Sequence, residues 1–127
     1  MNLEAPPYAR LLGLAEGEGN VLLMPFATHL IGAPGRLHGG AIAGLLELAA
    51  HRALLREVGR GTQLKQINIT VDFLREGRLE DTQAEGRILK LGRRVANLHA
   101  EAWQGDRSRP IAAARMNILV VRASAGD

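Results

Sequence analysis

Leu37-His38-Gly39-Gly40-Ala41-Ile42-Ala43-Gly44-Leu45-Leu46-Glu47 decides how the rest of the chain is read. Two adjacent glycines free the backbone and leave it open to close approach. A nearly unbroken apolar run follows, with one carboxylate inside it. Ala, Leu, Ile and Glu favour helix, and Gly59-Arg60-Gly61 ends it, so a buried central helix is expected over about residues 39–58. A carboxylate buried there must be paired or put to use. With residues about 100° apart, Glu47 shares a face with Gly40, Gly44, His51, Leu54 and Val58. Arg52 and Arg56 fall on nearly the opposite side. Glu47 is therefore separate from the helix's solvated charges, and His51, one turn on, is its nearest polar companion.

Working outward, residues 6–12 predict a short helix stopped by Gly13. Leu14 to Phe26 predicts a hairpin broken at Gly17 and Gly19, and Gly32, Pro34 and Gly35 mark residues 28–36 as loop. Beyond residue 62 the period changes to two. Ile67, Ile69, Val71 and Phe73 alternate with Asn68, Thr70 and Asp72, which predicts a strand with all four apolar residues on one face. Strands are also expected over Asp81 to Lys90, Arg93 to Gln104 and Ile111 to Val121, with turns at Glu76-Gly77 and Leu91-Gly92. Short turns join antiparallel neighbours, and a helix apolar nearly all round must be covered on most sides. A curved antiparallel sheet wrapped around one long central helix meets both conditions. That is the α+β hotdog fold, expected as a single domain over residues 1–127 with frayed ends at 1–5 and 123–127.

Composition narrows the function. Hydrophobic content of 46% and charged content of 23% are ordinary for a globular chain. There is no cysteine, which removes disulfides, thiol nucleophiles and thiolate metal sites. Residues 1–7 carry no secretory pattern and no apolar run is long enough to cross a bilayer, so a cytoplasmic protein without a membrane partner is expected. The net charge is +3 and the sequence pI about 10.2, which suits a phosphate-bearing partner. One Trp, one Tyr and two Phe leave little to stack bases on, and the arginines are scattered, so a nucleic-acid partner is not expected. Ser108 and Ser124 lie in loop and tail, which argues against a serine nucleophile. His29, His38, His51 and His99 lack metal-ligand spacing, so no metal is expected.

The glycine-led helix remains. Its N-terminus offers free N–H groups and a positive dipole end, and glycine keeps the approach clear for an oxyanion. The same glycines can also serve only a tight turn. His-Gly-Gly with an acid nine residues after the His resembles the hotdog thioesterases of the phenylacetate-pathway type, which hydrolyse acyl-coenzyme A thioesters. Ile69-Thr70-Val71-Asp72-Phe73-Leu74-Arg75 is similar to that family's strand ending in aromatic-Leu-Arg-Pro. Asp81-Thr82, Gly92-Arg93-Arg94 and Ile111-Ala112 fall where the family places its next strand starts and turns, and the likeness spans residues 6–121.

The resemblance implies roles. The Gly39 N–H polarises the thioester carbonyl, His38 shapes the loop, and Glu47 is general base or nucleophile. His51 stands where the family often has a polar residue one turn after the acid. Gln66 falls near a Ser or Thr that orients water. Gly40, Arg93 and Arg94 are assigned to the coenzyme A portion, with no cofactor beyond the coenzyme A of the substrate. Two residues depart from the pattern. Gly32 stands where many members carry Asn or Gln, and the acid is Glu where Asp is common. A non-catalytic acyl-CoA sensor or carrier stays open because of Gly32, and a dehydratase or hydratase because of the Glu47–His51 pair.

Gly39 and Glu47 are eight residues apart, hence about 12 Å along a helix. One carbonyl carbon cannot meet both. A two-fold axis that brings Gly39 of one subunit to Glu47 of another removes the conflict, so a homodimer is expected; the family resemblance implies that such dimers pair further into a tetramer.

Overall fold

The computed structural model describes residues 6–59 and 61–122; the ends expected to fray lie outside the described residues. The central helix, α2 (Gly39–Val58), has the expected bounds. His38 caps its start and Gly59, at φ 88°, ends it in a backbone region that favours glycine. Before it come α1 (Pro7–Leu12), ended by Gly13 in the left-handed conformation, and two short strands, β1 (Ala15–Glu16) and β2 (Val21–Met24). Part of the segment expected as loop forms a 3-10 turn at Thr28–Leu30. After it come β3 (Gln63–Phe73), β4 (Thr82–Leu91), β5 (Val95–Trp103) and β6 (Ala112–Val121).

All six strands form one antiparallel sheet in the order β1-β2-β4-β5-β6-β3, which leaves β3 as an edge. Alternation decides what the sheet presents to α2. Ala96, Leu98, Ala100 and Ala102 of β5 are buried, as are Ala112, Ala114, Met116 and Ile118 of β6. They meet Ile42, Leu45, Leu46, Ala49, Ala50 and Leu54 in one core. The small residues let backbones approach: a Cβ on Gly86 would stand 2.5 Å from Ala50 Cα. This is the hotdog fold, and among the described residues no helix is long and apolar enough to cross a membrane.

Arg52 and Arg56 lie apart from Glu47 as expected, but Arg52 is not on a solvated face: its side chain is 17% exposed against 38% for Glu47, because the β1–β2 hairpin covers it. Arg52 donates to Glu16 Oε1 at 2.9 Å and to the Gly19 carbonyl at 3.3 Å, and Arg56 donates to the same carbonyl. Both arginines thereby pin the β1–β2 hairpin to the helix, and Arg52 holds the Glu16 carboxyl below the usual carboxylate range.

One expectation fails in β3. A bulge between Gln66 and Asn68 shifts the register against β6, from Gln66↔Ile118 to Asn68↔Asn117. An extra residue reverses which side chains face the helix. Leu64 and Gln66 face it before the bulge, Ile69 and Val71 after it, and Ile67 is left exposed. Asn117 Nδ2 donates to Asn68 Oδ1 at 3.0 Å and Asn97 Nδ2 donates to Asn117 Oδ1, an asparagine ladder beside the irregularity.

Candidate active site

The N-terminal end of α2 is built by three residues in a row. The His38 backbone is still extended (φ −66°, ψ 130°), and its Nδ1 accepts the Gly40 N–H at 2.8 Å. In the neutral ring the proton is then on Nε2. A Cβ on Gly40 would stand 2.9 Å from that Nδ1, so glycine is what lets the ring fold back. Ala41 and Ile42 donate to the His38 carbonyl at 3.0 and 3.2 Å. Of the four N–H groups that open a helix, the one on Gly39 has no acceptor among the described residues. It is the free donor at the positive end of the helix. Gly40, assigned from sequence to the coenzyme A portion, has its own N–H committed to His38.

The loop before the helix closes on His38. Ile31 and Leu37 form a bridge, and the Gly32 N–H donates to the Arg36 carbonyl at 2.9 Å. A Cβ on Gly32 would lie 2.8 Å from His38 Cα, so any side chain forces the backbone apart. The His38 N–H donates to the Leu30 carbonyl and the Leu37 N–H to the Gly77 carbonyl, which anchors the loop on both sides.

A cleft of about 510 Å³ opens beside Gly39. Leu37, Ile42, Phe73 and Leu74 are its apolar lining, and Arg36, Arg75 and Glu76 line it too. The Phe73 ring lies 3.4 Å from where a Gly39 Cβ would be. Arg36 pairs with Glu76 at 3.4 Å, and Arg75 donates to the Pro110 carbonyl at 2.6 Å. A smaller hollow of about 180 Å³ adjoins, sharing Arg75 and Glu76 and lined also by Arg78, Gln104, Asp106 and Arg109. The Ser108 hydroxyl and N–H hold the Asp106 carboxyl below its ordinary range.

The acid end is assembled differently. Glu47 Oε1 is 3.9 Å from His51 Nε2, close but beyond a hydrogen bond. Gln66 Nε2 donates to the Asn68 carbonyl at 2.7 Å, which turns Oε1 toward His51. His51 Nε2–H donates to that oxygen at 2.7 Å. The bulge is what aims Gln66 at the helix. Glu47 was expected to be buried; its side chain is 38% exposed, because α2 presents other faces to the sheet and leaves this flank beside the β3 edge uncovered.

Glu47, His51 and Gln66 are thus brought together, and His38, Gly39 and Gly40 form a second group. Arg93 and Arg94 join neither. The Val120 N–H donates to the Arg94 carbonyl, and Gln63 pairs with Val121, so this turn lies where β3 begins. Gly39 sits at the opposite end, beside Phe73, which pairs with Ala112. Sequence reasoning missed Arg36, Phe73 and Arg75 as site residues. Phe73-Leu74-Arg75 was visible as a motif but only as strand. Among the described residues no cluster of His, Asp and Glu could hold a metal ion.

The site is thus a hotdog sheet around a helix whose glycine start carries a free N–H beside a cleft lined by apolar residues, Arg36, Arg75 and Glu76. The chain belongs to the Thioesterase superfamily, whose family profile matches residues 34–111, more than half its length. Thioester hydrolysis is the general chemistry this membership supports. Among solved structures, a Chromobacterium violaceum protein is 36% identical, with a TM-score of 0.75, over 96% of this chain and 88% of that one. A phenylacetic acid degradation-related protein from Ralstonia eutropha is 20% identical (TM-score 0.77; 91% and 90% covered). A Bacillus halodurans protein solved with CoA is 17% identical (TM-score 0.82; 92% and 77% covered). No curated protein sequence matches this chain significantly.

Proposed function

We propose that the protein hydrolyses acyl-coenzyme A thioesters to the free acid and CoA, at two equivalent sites of a homodimer. The observation that carries this reading is the free Gly39 N–H at the positive end of α2, opening on the cleft. Attack of water on the thioester carbonyl places negative charge on its oxygen, where that N–H is a ready donor. The partner's Glu47 takes the proton of the attacking water; collapse then breaks the C–S bond, and the CoA sulfur takes up the proton. In the alternative form Glu47 attacks the carbonyl itself, and water resolves the anhydride. The separation of about 12 Å between Gly39 and Glu47 along one helix supports the two-chain site. So do the free β3 edge and the uncovered flank bearing Glu47.

Arg36 and Arg75 line the Gly39 cleft, with Glu76 next to Arg75 in sequence and paired to Arg36, and suit the phosphates of CoA; Arg93 and Arg94 do not line it. The chemistry calls for no cofactor beyond the CoA of the substrate, and fits a cytoplasmic homodimer that can pair into a tetramer. Thiol release from a panel of acyl-CoA esters tests the reading. Turnover of at least one ester is expected, and CoA binding without release from any would favour an acyl-CoA sensor. The closed Gly32 loop, which leaves no room for a polar side chain near His38, is the observation on that side.

A further inference from the structure

The short helix α1 docks on α2 through a missing side chain. Glycine is unfavourable in a helix interior, yet Gly44 lies well inside α2. A Cβ there would stand 2.6 Å from Tyr8 Cε2, 3.0 Å from Tyr8 Oη and 3.2 Å from Leu12 Cδ1. Ala9 and Leu12 are buried and anchor α1 without help from the ring. Tyr8 stays 46% exposed, one side pressed on Gly44 and the rest open. Glu47 follows Gly44 by three residues, about 4.5 Å along the axis and on the same flank. The ring therefore stands beside the flank that carries Glu47, and nothing in the core requires a tyrosine there.

We propose that Tyr8 is a specificity-determining residue, a wall that limits the bulk of the acyl group lying next to Glu47 of its own chain. This rests on the acyl-CoA reading above. Gly44 gives the ring its seat, and the seat sets how much of the flank the ring covers. Compact acyl groups pass it; bulky ones meet its exposed edge.

The test is calorimetric binding of non-hydrolysable thioether analogues of CoA, one carrying a two-carbon group and one a bulky branched group, with CoA alone as reference. Tyr8→Phe should keep the wild-type ratio of the two affinities. Tyr8→Ala should shift that ratio toward the bulky analogue by about tenfold or more, since pocket contacts of this size carry such factors. CoA alone should bind within about twofold of wild type, because the ring faces the acyl portion. Tyr8→Leu, which keeps an apolar contact on Gly44 but removes the ring, should shift the ratio in the same direction and serves if the alanine variant does not fold. A uniform change across all three ligands, or an unchanged ratio in the folded variants, overturns the assignment. Binding needs no turnover, so absence of hydrolysis by the wild type would reject the hydrolase reading alone. Failure of the wild type to bind either analogue would reject both.

Discussion

The two ends of the candidate site are made by different means. At the Gly39 end the functional group is backbone, and residues 38–42 build it among themselves: His38 caps, Gly40 yields, and the Gly39 N–H is left over. At the Glu47 end the functional group is a side chain. Its surroundings come from a distant strand, through a bulge that turns Gln66 onto His51. The first end is complete in one chain and its geometry is local. The second is held only on one side, since Glu47 is half-exposed and 3.9 Å from the nearest polar partner. In the proposed dimer the partner chain finishes this end.

That contrast can be broken at several points. Glu47→Gln keeps the shape and removes the base, so kcat should fall by about 100-fold to 10,000-fold while acyl-CoA affinity by calorimetry stays near wild type. Retained turnover would leave the acid end without a role. Gly40→Ala attacks the local end: the new methyl would displace the His38 ring and undo the cap, at a cost of about 1 kcal/mol in a urea titration. Alanine's higher helix propensity offsets up to about 1 kcal/mol of that loss, so His38→Ala, which removes the cap without changing a helical glycine, is the control: a midpoint unchanged in both variants would mean that the cap contributes nothing. Gln66→Leu cuts the relay and leaves His51 without its acceptor. It should cost about 1 kcal/mol of stability and lower kcat with little change in KM, whereas a KM effect alone would place Gln66 in binding.

The smallest effect belongs to a histidine on neither end. Burial, with Arg87 and Arg115 adding to it and Glu101 opposing, holds His99 below the ordinary imidazole range. The folded state then binds its proton less readily than the unfolded chain. The stability from the neutral ring is fully present above about pH 6.5 and is lost as pH falls through the lowered value. Urea midpoints should decline across that window, and His99→Gln should flatten the decline without touching turnover.

What could be read in advance follows the same division. The bounds of α2 were legible because helix formers run between glycines at both ends. That His51 neighbours Glu47 and that Arg52 and Arg56 lie opposite follow from helical spacing alone; that His51 bonds Gln66 rather than Glu47 does not. The bulge was not legible. Ile67, Ile69, Val71 and Phe73 look like one face, and nothing in an alternating pattern signals an extra residue; only the cross-strand asparagines mark it. The cleft escaped for a different reason. Arg36, Phe73 and Arg75 meet Gly39 because β3 returns past the start of α2, a path set by the whole sheet. Gly32 was visible as a departure, but its contact with His38 Cα was not.

The most direct test of the central claim, that one site takes Gly39 and Glu47 from different chains, is subunit complementation. Proline is tolerated in the first turn of a helix and lacks an N–H, so Gly39→Pro removes the proposed donor with the fold retained. Alone, Gly39→Pro and Glu47→Gln should each be nearly inactive. Unfolded together in equal amounts and refolded, half of the dimers become mixed, each with one intact site, and activity should return to about a quarter of wild type. No recovery in verified mixed dimers would place both groups in sites of a single chain and contradict the account.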